Sequence, residues 1–336
     1  MKSCWKNCSA SAVGSEDGSI LSGCIQLCKV KNCETHTKPA DFELIIDGLG
    51  SPESPVFTRN GNLYTTAYMA GEIRKIDLEN RKSNVLTTLS VNGLVGMPAG
   101  SQCDLDNNIW VADVRLGLLK VNQNGSFQQV ATKDSQGDVV QGCNDLTCTF
   151  DYQGNLWITA PYGPIAPNTF TESSEEAFGS VYCYNKTTDE LKKVTSGFIY
   201  PNGIVVKHDD HGNPVKLIFA VTYNKNSPLW SFDIIGPCQI RNKQVWGSLP
   251  ANSVVDGLEL DEEGNLIVLE YESGTMYVFG PNGGSPMCRI NLPFLNATNI
   301  VFTPNSNELY MTEHEFDGLW KIHWKHKGMK QYCETF

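Results

Sequence analysis

The chain has 336 residues, 40% of them apolar, with 26 basic against 37 acidic side chains and a net charge of −11. That charge opposes binding to phosphate backbones or anionic lipid surfaces, and no run approaches the roughly 18 apolar residues of a membrane helix. Nucleic acid and membrane are therefore not expected as partners, and the apolar content suffices for one large packed domain.

Residues 1–40 are rich in Cys, Ser, Gly and Lys and show no sustained period, so they are expected to form an extension outside the fold. Five cysteines crowd there (Cys4, Cys8, Cys24, Cys28, Cys33), with His36 nearby. Their spacing admits zinc or disulfides but matches no zinc finger well, and a mobile arm with reduced thiols is the expectation. The first residues contain no apolar stretch of signal-peptide length, which points to the cytoplasm, with secretion as the alternative. Only on a secretory route would the sequons at Asn7, Asn124, Asn185 and Asn296 matter.

Residues 41–336 repeat one pattern six times: an apolar strand, a turn, and a second apolar strand. The second strands contain Leu63, Ile109, Leu156, Leu217, Leu266 and Leu309, which are 46, 47, 61, 49 and 43 residues apart. A further strand of period 2 follows each pair, as in Glu72-Ile-Arg-Lys-Ile-Asp77 and Thr275-Met-Tyr-Val-Phe279. Asn60-Gly61, Gln153-Gly154 and Glu263-Gly264 supply the positive-φ residues of tight hairpins. Short strands at this period predict an all-β, six-bladed propeller of four-stranded blades around a central channel. A ring must also cover its terminal edges. The strand Phe42-Glu-Leu-Ile-Ile46 is expected to meet Lys330-Gln-Tyr-Cys333 in one blade.

The start of each innermost strand faces the channel mouth. Counting back ten from the markers gives Glu53, Asp256 and Asn299, while longer hairpins place Asn202 and Asn144 at the same level and Gln102 near it. Carboxylates and carboxamides are hard oxygen donors, a set that suits calcium better than zinc or copper. His314, after the last hairpin strand, is placed to orient substrate or move a proton, or else to serve the structure alone. No nucleophile elbow, phosphate loop or zinc-protease helix is present.

Several blocks, among them Pro98-Ala-Gly-Ser-Gln-Cys-Asp104, Gln141-Gly-Cys-Asn-Asp145, Tyr200-Pro-Asn-Gly-Ile204, Val278-Phe-Gly-Pro-Asn-Gly-Gly284 and Thr312-Glu-His-Glu315, closely resemble the squid-type diisopropyl fluorophosphatases. The likeness runs from about residue 42 to the C-terminus, and extends more distantly to the gluconolactonase and paraoxonase group. It implies a calcium-dependent phosphotriesterase with metal ligands Glu53, Asn144, Asn202 and Asp256. Asp256 would be the nucleophile or the base that activates water, His314 a pocket histidine, and Asp145 a carboxylate supporting the ligands.

The chain also departs from that family. Asn144 to Phe150 is two residues longer than the family pattern, so Asn144 keeps its role only if a bulge absorbs the extra length; Asp145 or Thr147 are the alternatives. The pocket wall aligns Val114, Phe170, Glu172, Ser174 and Tyr271 where the family has other side chains, and Thr222 and Thr298 complete it. At the family's second, structural calcium stand Glu259, Ile300 and Val301, so one calcium is expected and the second is doubtful. The leading expectation is a monomeric calcium-dependent hydrolase of small ester-like molecules, phosphotriesters first and lactones second. A calcium-stabilised propeller that binds without catalysing is the competing class.

Overall fold

The computed structural model describes residues 41–147, 154–165, 177–222 and 227–330. The extension expected over residues 1–40 therefore lies outside the described residues. Six antiparallel sheets surround a central axis, each meandering outward from an inner strand. The first blade runs Pro52–Phe57, Leu63–Ala67, Glu72–Asp77 and Lys82–Thr88. Inner strands Pro98–Cys103, Pro201–His208, Val254–Leu260 and Ala297–Phe302 begin the second, fourth, fifth and sixth blades. The first inner strand packs against those of the second and sixth blades, which closes the ring.

In the third blade the inner segment runs into residues 148–153, which lie outside the described residues. Among the described residues its sheet has three strands, Asn155–Ala160, Gly179–Asn185 and Glu190–Phe198. The inner position is held by Asn144–Thr147 through a single bridge, Leu146 to Ile158. This segment is shared between blades, because the Asn144 carbonyl accepts from Gly100 N at 2.6 Å while Asn144 N donates to Thr159 O.

The first strand closes the ring in the sixth blade. Glu43–Ile46 is the outer strand of the sixth blade and pairs antiparallel with Gly318–His323, Glu43 opposite Lys321 and Leu44 opposite Trp320. Of the segment before residue 330, Gly328 bridges Asp261 in the fifth blade, and Met329 N donates to Leu260 O. Residues 331–333 lie outside the described residues.

The acidic residue that opens several repeats shapes the first hairpin. Asp104 Oδ1 accepts from the backbone N of Asp106 and Asn108, Asp209 from His211 and Asn213, and Asp261 from Glu263 and Asn265. A short side chain that bonds its own backbone competes with the ladder and turns the chain. Asn107, Gly212 and Gly264 take the left-handed conformation this turn needs.

Apolar residues collect in six clusters, one at each junction between neighbouring blades. The second strands bury both faces, as in Leu63–Ala67 and Ile109–Asp113, because a blade is covered on either side by its neighbours. A seventh, smaller cluster of Val114, Tyr162 and Tyr200 lies at one end of the axis. No helix among the described residues is long and apolar enough to cross a membrane.

Candidate active site

Every regular inner strand breaks register at the same place. The irregularities fall between Pro52 and Pro55, Pro98 and Ser101, Pro201 and Ile204, Val255 and Leu258, and Ala297 and Ile300. Each sets two residues of the inner strand opposite one on its partner, and a bulge re-aims side chains that a flat strand would hold against the neighbouring blade. In the third blade Asn144 and Asp145 fill the matching positions, between the contacts to Thr159 and the Leu146 bridge.

The bulges build two stacked rings around the axis. The upper ring is Glu53, Ala99, Asn144, Asn202, Asp256 and Thr298; the lower is Ser54, Gly100, Asp145, Gly203, Gly257 and Asn299. Asn299, expected in the upper ring, thus belongs to the lower one. The hairpin before Leu309 is one residue longer than those before Leu63 and Leu266, so a fixed count lands one position too far. Gln102 is not at this level either. It is buried further along its strand, donating to Thr147 O at 2.6 Å and accepting from Cys103 N.

The glycines of the lower ring make room for its polar members. A Cβ on Gly100 would overlap Asp145, and one on Gly257 would overlap Asn299. Those two side chains meet, Asn299 Nδ2 donating to Asp145 Oδ1 at 3.3 Å, while Leu146 N donates to the same oxygen at 2.9 Å. Beneath them is a void of about 10 Å³, near the smallest space that admits one water.

Above the rings opens a cleft of about 390 Å³, floored by Glu53, Asn144, Asn202 and Asp256. The structure therefore brings these four residues together, with Asn144 rather than Asp145 or Thr147 reaching the cleft. Asn202 donates its Nδ2 to Val255 O at 3.1 Å, which turns Oδ1 toward the cleft, where it is buried without a hydrogen-bond partner. Thr222 Oγ1 donates to the same carbonyl at 2.5 Å. His314 stands over Glu53, Nε2 to Oε1 3.6 Å, with its Nδ1 3.5 Å from the Tyr271 hydroxyl. Burial lowers the His314 pKa, so the ring is neutral near neutral pH.

Two carboxylates line the floor and a third, Asp145, lies below it. Burial, then the nearby Asp145 charge, pushes Glu53 up to about 8, and burial raises Asp145 to about 7. Burial and the same two neighbours hold Asp256 well above the carboxylate range, against the lowering effect of Asn202. Buried like charges disfavour ionisation unless a cation stands among them. The donor set is all oxygen, with one carboxamide oxygen left unpartnered, so the residues fit a hard divalent ion such as calcium.

At the place of a second ion stand Glu259, Ile300 and Val301. Ile300 and Val301 are buried apolar residues, and Glu259 is buried with Oε1 accepting from Leu260 N at 2.8 Å.

Of the expected pocket residues, Thr222, Tyr271 and His314 line the cleft. Val114 is buried behind it against Tyr162 and Tyr200. Thr298 is fully buried, its hydroxyl donating to Pro52 O at 2.9 Å, and does not reach the cleft. Phe170, Glu172 and Ser174 lie outside the described residues. The sequence reading missed Tyr68, Tyr162 and Tyr200, whose hydroxyls form a row along one wall, 3.5 Å from Tyr68 to Tyr162 and 2.6 Å from Tyr162 to Tyr200. A signal for Tyr68 existed: it follows the second strand of its blade at the position held by Val114, Thr222, Tyr271 and His314 in others.

The bulged inner strands and the oxygen-lined axial cleft define a six-bladed propeller of the gluconolactonase type. Residues 49–315 match the SMP-30/Gluconolactonase/LRE-like region, and the chain belongs to that family. It is 47% identical over 305 residues to diisopropyl-fluorophosphatase of Loligo vulgaris, covering 88% of this chain and 95% of that protein. Among solved structures, a gluconolactonase of Xanthomonas campestris matches with a TM-score of 0.68 at 18% identity, over 88% of this chain and 96% of the other. A calcium-binding regucalcin of Agrobacterium tumefaciens matches at 0.67 with 17% identity, over 85% and 94%. At those identities the two structures speak for the fold alone.

Proposed function

We propose that this chain is a calcium-dependent hydrolase of phosphotriester and phosphofluoridate bonds, with its chemistry at the axial cleft. The observation that carries the reading is the floor itself: Glu53, Asn144, Asn202 and Asp256 converge there, with Asn202 Oδ1 buried and unpartnered. The 47% identity to a diisopropyl-fluorophosphatase supports the reaction class. Calcium bound by these four residues would neutralise their charge and polarise the phosphoryl oxygen of a substrate.

The chain's own residues do the rest. Asp256, kept ionised, either attacks phosphorus as the leaving group departs, giving an acyl phosphate that water then cleaves, or takes the proton from an attacking water. Asp145 supports the floor from below through Asn299 and the Leu146 amide. The phenol row and the Tyr271–His314 pair wall the cleft on two sides and narrow the space open to bulk water. A lactone offers the same polarised oxygen, and the family's gluconolactonase membership makes lactone hydrolysis the second reading.

The test is hydrolysis of diisopropyl fluorophosphate and of a lactone panel by purified protein, with and without chelator. Chelation abolishes turnover, and Asp256→Asn lowers kcat by about 10²-fold or more while the circular dichroism spectrum is unchanged. Turnover that persists in folded Asp256→Asn would remove that residue from the mechanism. Calcium binding with no turnover on any substrate would favour a binding propeller.

A further inference from the structure

Four of the five cysteines among the described residues are in disulfides: Cys183 is bonded to Cys238, and Cys103 and Cys288 are likewise oxidised. The fifth, Cys143, is a buried thiol. Cys183 lies in the strand Gly179–Asn185 of the third blade, and Cys238 in the outer turn of the fourth. Their bond therefore crosslinks neighbouring blades inside an apolar junction. Glutathione and thioredoxin keep such pairs reduced in most cytosols, whereas oxidising compartments form and preserve them. This stands against the cytoplasmic expectation raised by the first residues.

An independent feature points the same way. Asn124-Gly125-Ser126 forms the turn between Gly117–Val121 and Phe127–Ala131, with Asn124 and Ser126 exposed. Ser126 Oγ donates to Asn124 Oδ1 at 2.8 Å, so the hydroxyl and the amide of the sequon already meet. Asn185-Lys186-Thr187 opens the turn after Gly179–Asn185, with Asn185 half-buried and Thr187 exposed. In a meandering blade the turn between third and fourth strands lies at the same end as the turn between first and second. Both sequons therefore sit on the face opposite the cleft. The remaining described sequon is placed differently. The Asn296 carbonyl accepts from His314 N at the cleft rim, and Thr298 is fully buried.

We infer that this chain matures in an oxidising secretory compartment and carries N-linked oligosaccharide on Asn124 and Asn185, on the face away from the cleft. At each site the side-chain amide nitrogen bonds to the anomeric carbon of an oligosaccharide supplied as a lipid diphosphate. The amide gives up one proton, and the lipid diphosphate leaves with the electron pair of the broken carbon–oxygen bond. Closing Cys183–Cys238 transfers two electrons and two protons to a disulfide of a thiol oxidoreductase in the same compartment. A glycan at either turn leaves the cleft mouth open.

Protein enriched from its source tissue is alkylated before reduction, digested, and mapped by mass spectrometry with and without peptide N-glycosidase. Asn124 and Asn185 peptides are expected free of glycan only after the enzyme, and then with the asparagine converted to aspartate, and Cys183 only as a linked pair with Cys238. In a secretory expression host, N124Q and N185Q each remove one glycosidase-sensitive mobility step. Unmodified Asn124 or Asn185 before enzyme treatment overturns the assignment at that site. Alkylated Cys183 overturns the oxidising compartment.

Discussion

Tyr162 and Tyr200 touch edge to face with their hydroxyls 2.6 Å apart, on the wall of the cleft nearest Asn144 and Asn202. Val114 and Met97 pack behind these rings. Burying a phenol is favourable only while its hydroxyl keeps a partner. Tyr200→Phe leaves Tyr162 with one partner fewer, and a cost of about 1–2 kcal/mol is expected, read as a shift in the urea midpoint. If the wall also positions substrate, KM for a bulky phosphotriester rises more than kcat falls. A second residue-scale expectation concerns His208, at the end of the inner strand furthest from the cleft. Burial lowers its imidazole from 6.5 to about 4, against the raising effect of Asp209. The unfolded chain takes up a proton near pH 6.5 that the folded chain refuses until about pH 4. The stability this neutral ring contributes is thus complete above the unfolded value and is lost as pH falls through that window. The loss is on the order of 3 kcal/mol. Urea titrations of His208→Gln across the same range should show a flatter decline, and an unchanged slope would show that His208 does not govern it.

At the scale of the strand, the bulge sets the chemistry. Where the second bulge residue has a side chain (Ser54, Asp145, Asn299), the facing strand supplies threonine (Thr66, Thr159, Thr312); where it is glycine (Gly100, Gly203, Gly257), the facing residue is Ala112, Ala220 or Leu269. The threonines meet backbone groups that the bulge removes from the ladder. Thr66 Oγ1 accepts from Ser54 N and Thr159 Oγ1 from Asp145 N, while Thr312 Oγ1 donates to Glu53 O. Buried backbone groups need such partners. Gly257→Ala drives a methyl group into Asn299, so a loss of about 1–3 kcal/mol is expected from overpacking. The Asn299–Asp145 contact loosens with it, and calcium affinity measured by titration calorimetry falls alongside the midpoint. A midpoint loss with unchanged affinity would separate the lower ring from the floor. This level also explains what the sequence made legible. Period and turn residues revealed six blades, and Glu53, Asn202 and Asp256 fell out of a fixed count because their hairpins have regular or visibly longer lengths. Asn299 was misplaced by one residue because bulge register is a property of pairing, which no single strand records. The phenol row escaped because its members come from Tyr68, Tyr162 and Tyr200, near in space yet far apart along the chain. Thr298 followed the family pocket, while its hydroxyl is turned into the junction with the first blade.

For the whole molecule, the ring is only as secure as its last closure. Glu43–Ile46 covers the outer edge of Gly318–His323, buries Ile45 in the junction between sixth and first blades, and brings Glu43 to Arg81 and Lys321. The exposed ion pairs add little by themselves. Burial of Ile45 and the ladder along Gly318–His323 carry the closure, since truncating a buried isoleucine costs about 2–5 kcal/mol. Without this strand, Gly318–His323 becomes an unpaired edge, a template for association with other chains. A chain beginning at Gly48 is therefore expected to lose its single cooperative thermal transition and to aggregate at micromolar concentration. We propose that residues 1–40 stand outside the propeller, so a chain beginning at Asp41 should melt within a few degrees of the full chain, about 1 kcal/mol or less at this size. Differential scanning calorimetry and light scattering on the two truncations decide it. If both melt like the full chain, closure lies elsewhere; if the Asp41 chain also fails, residues 1–40 belong to the folded unit.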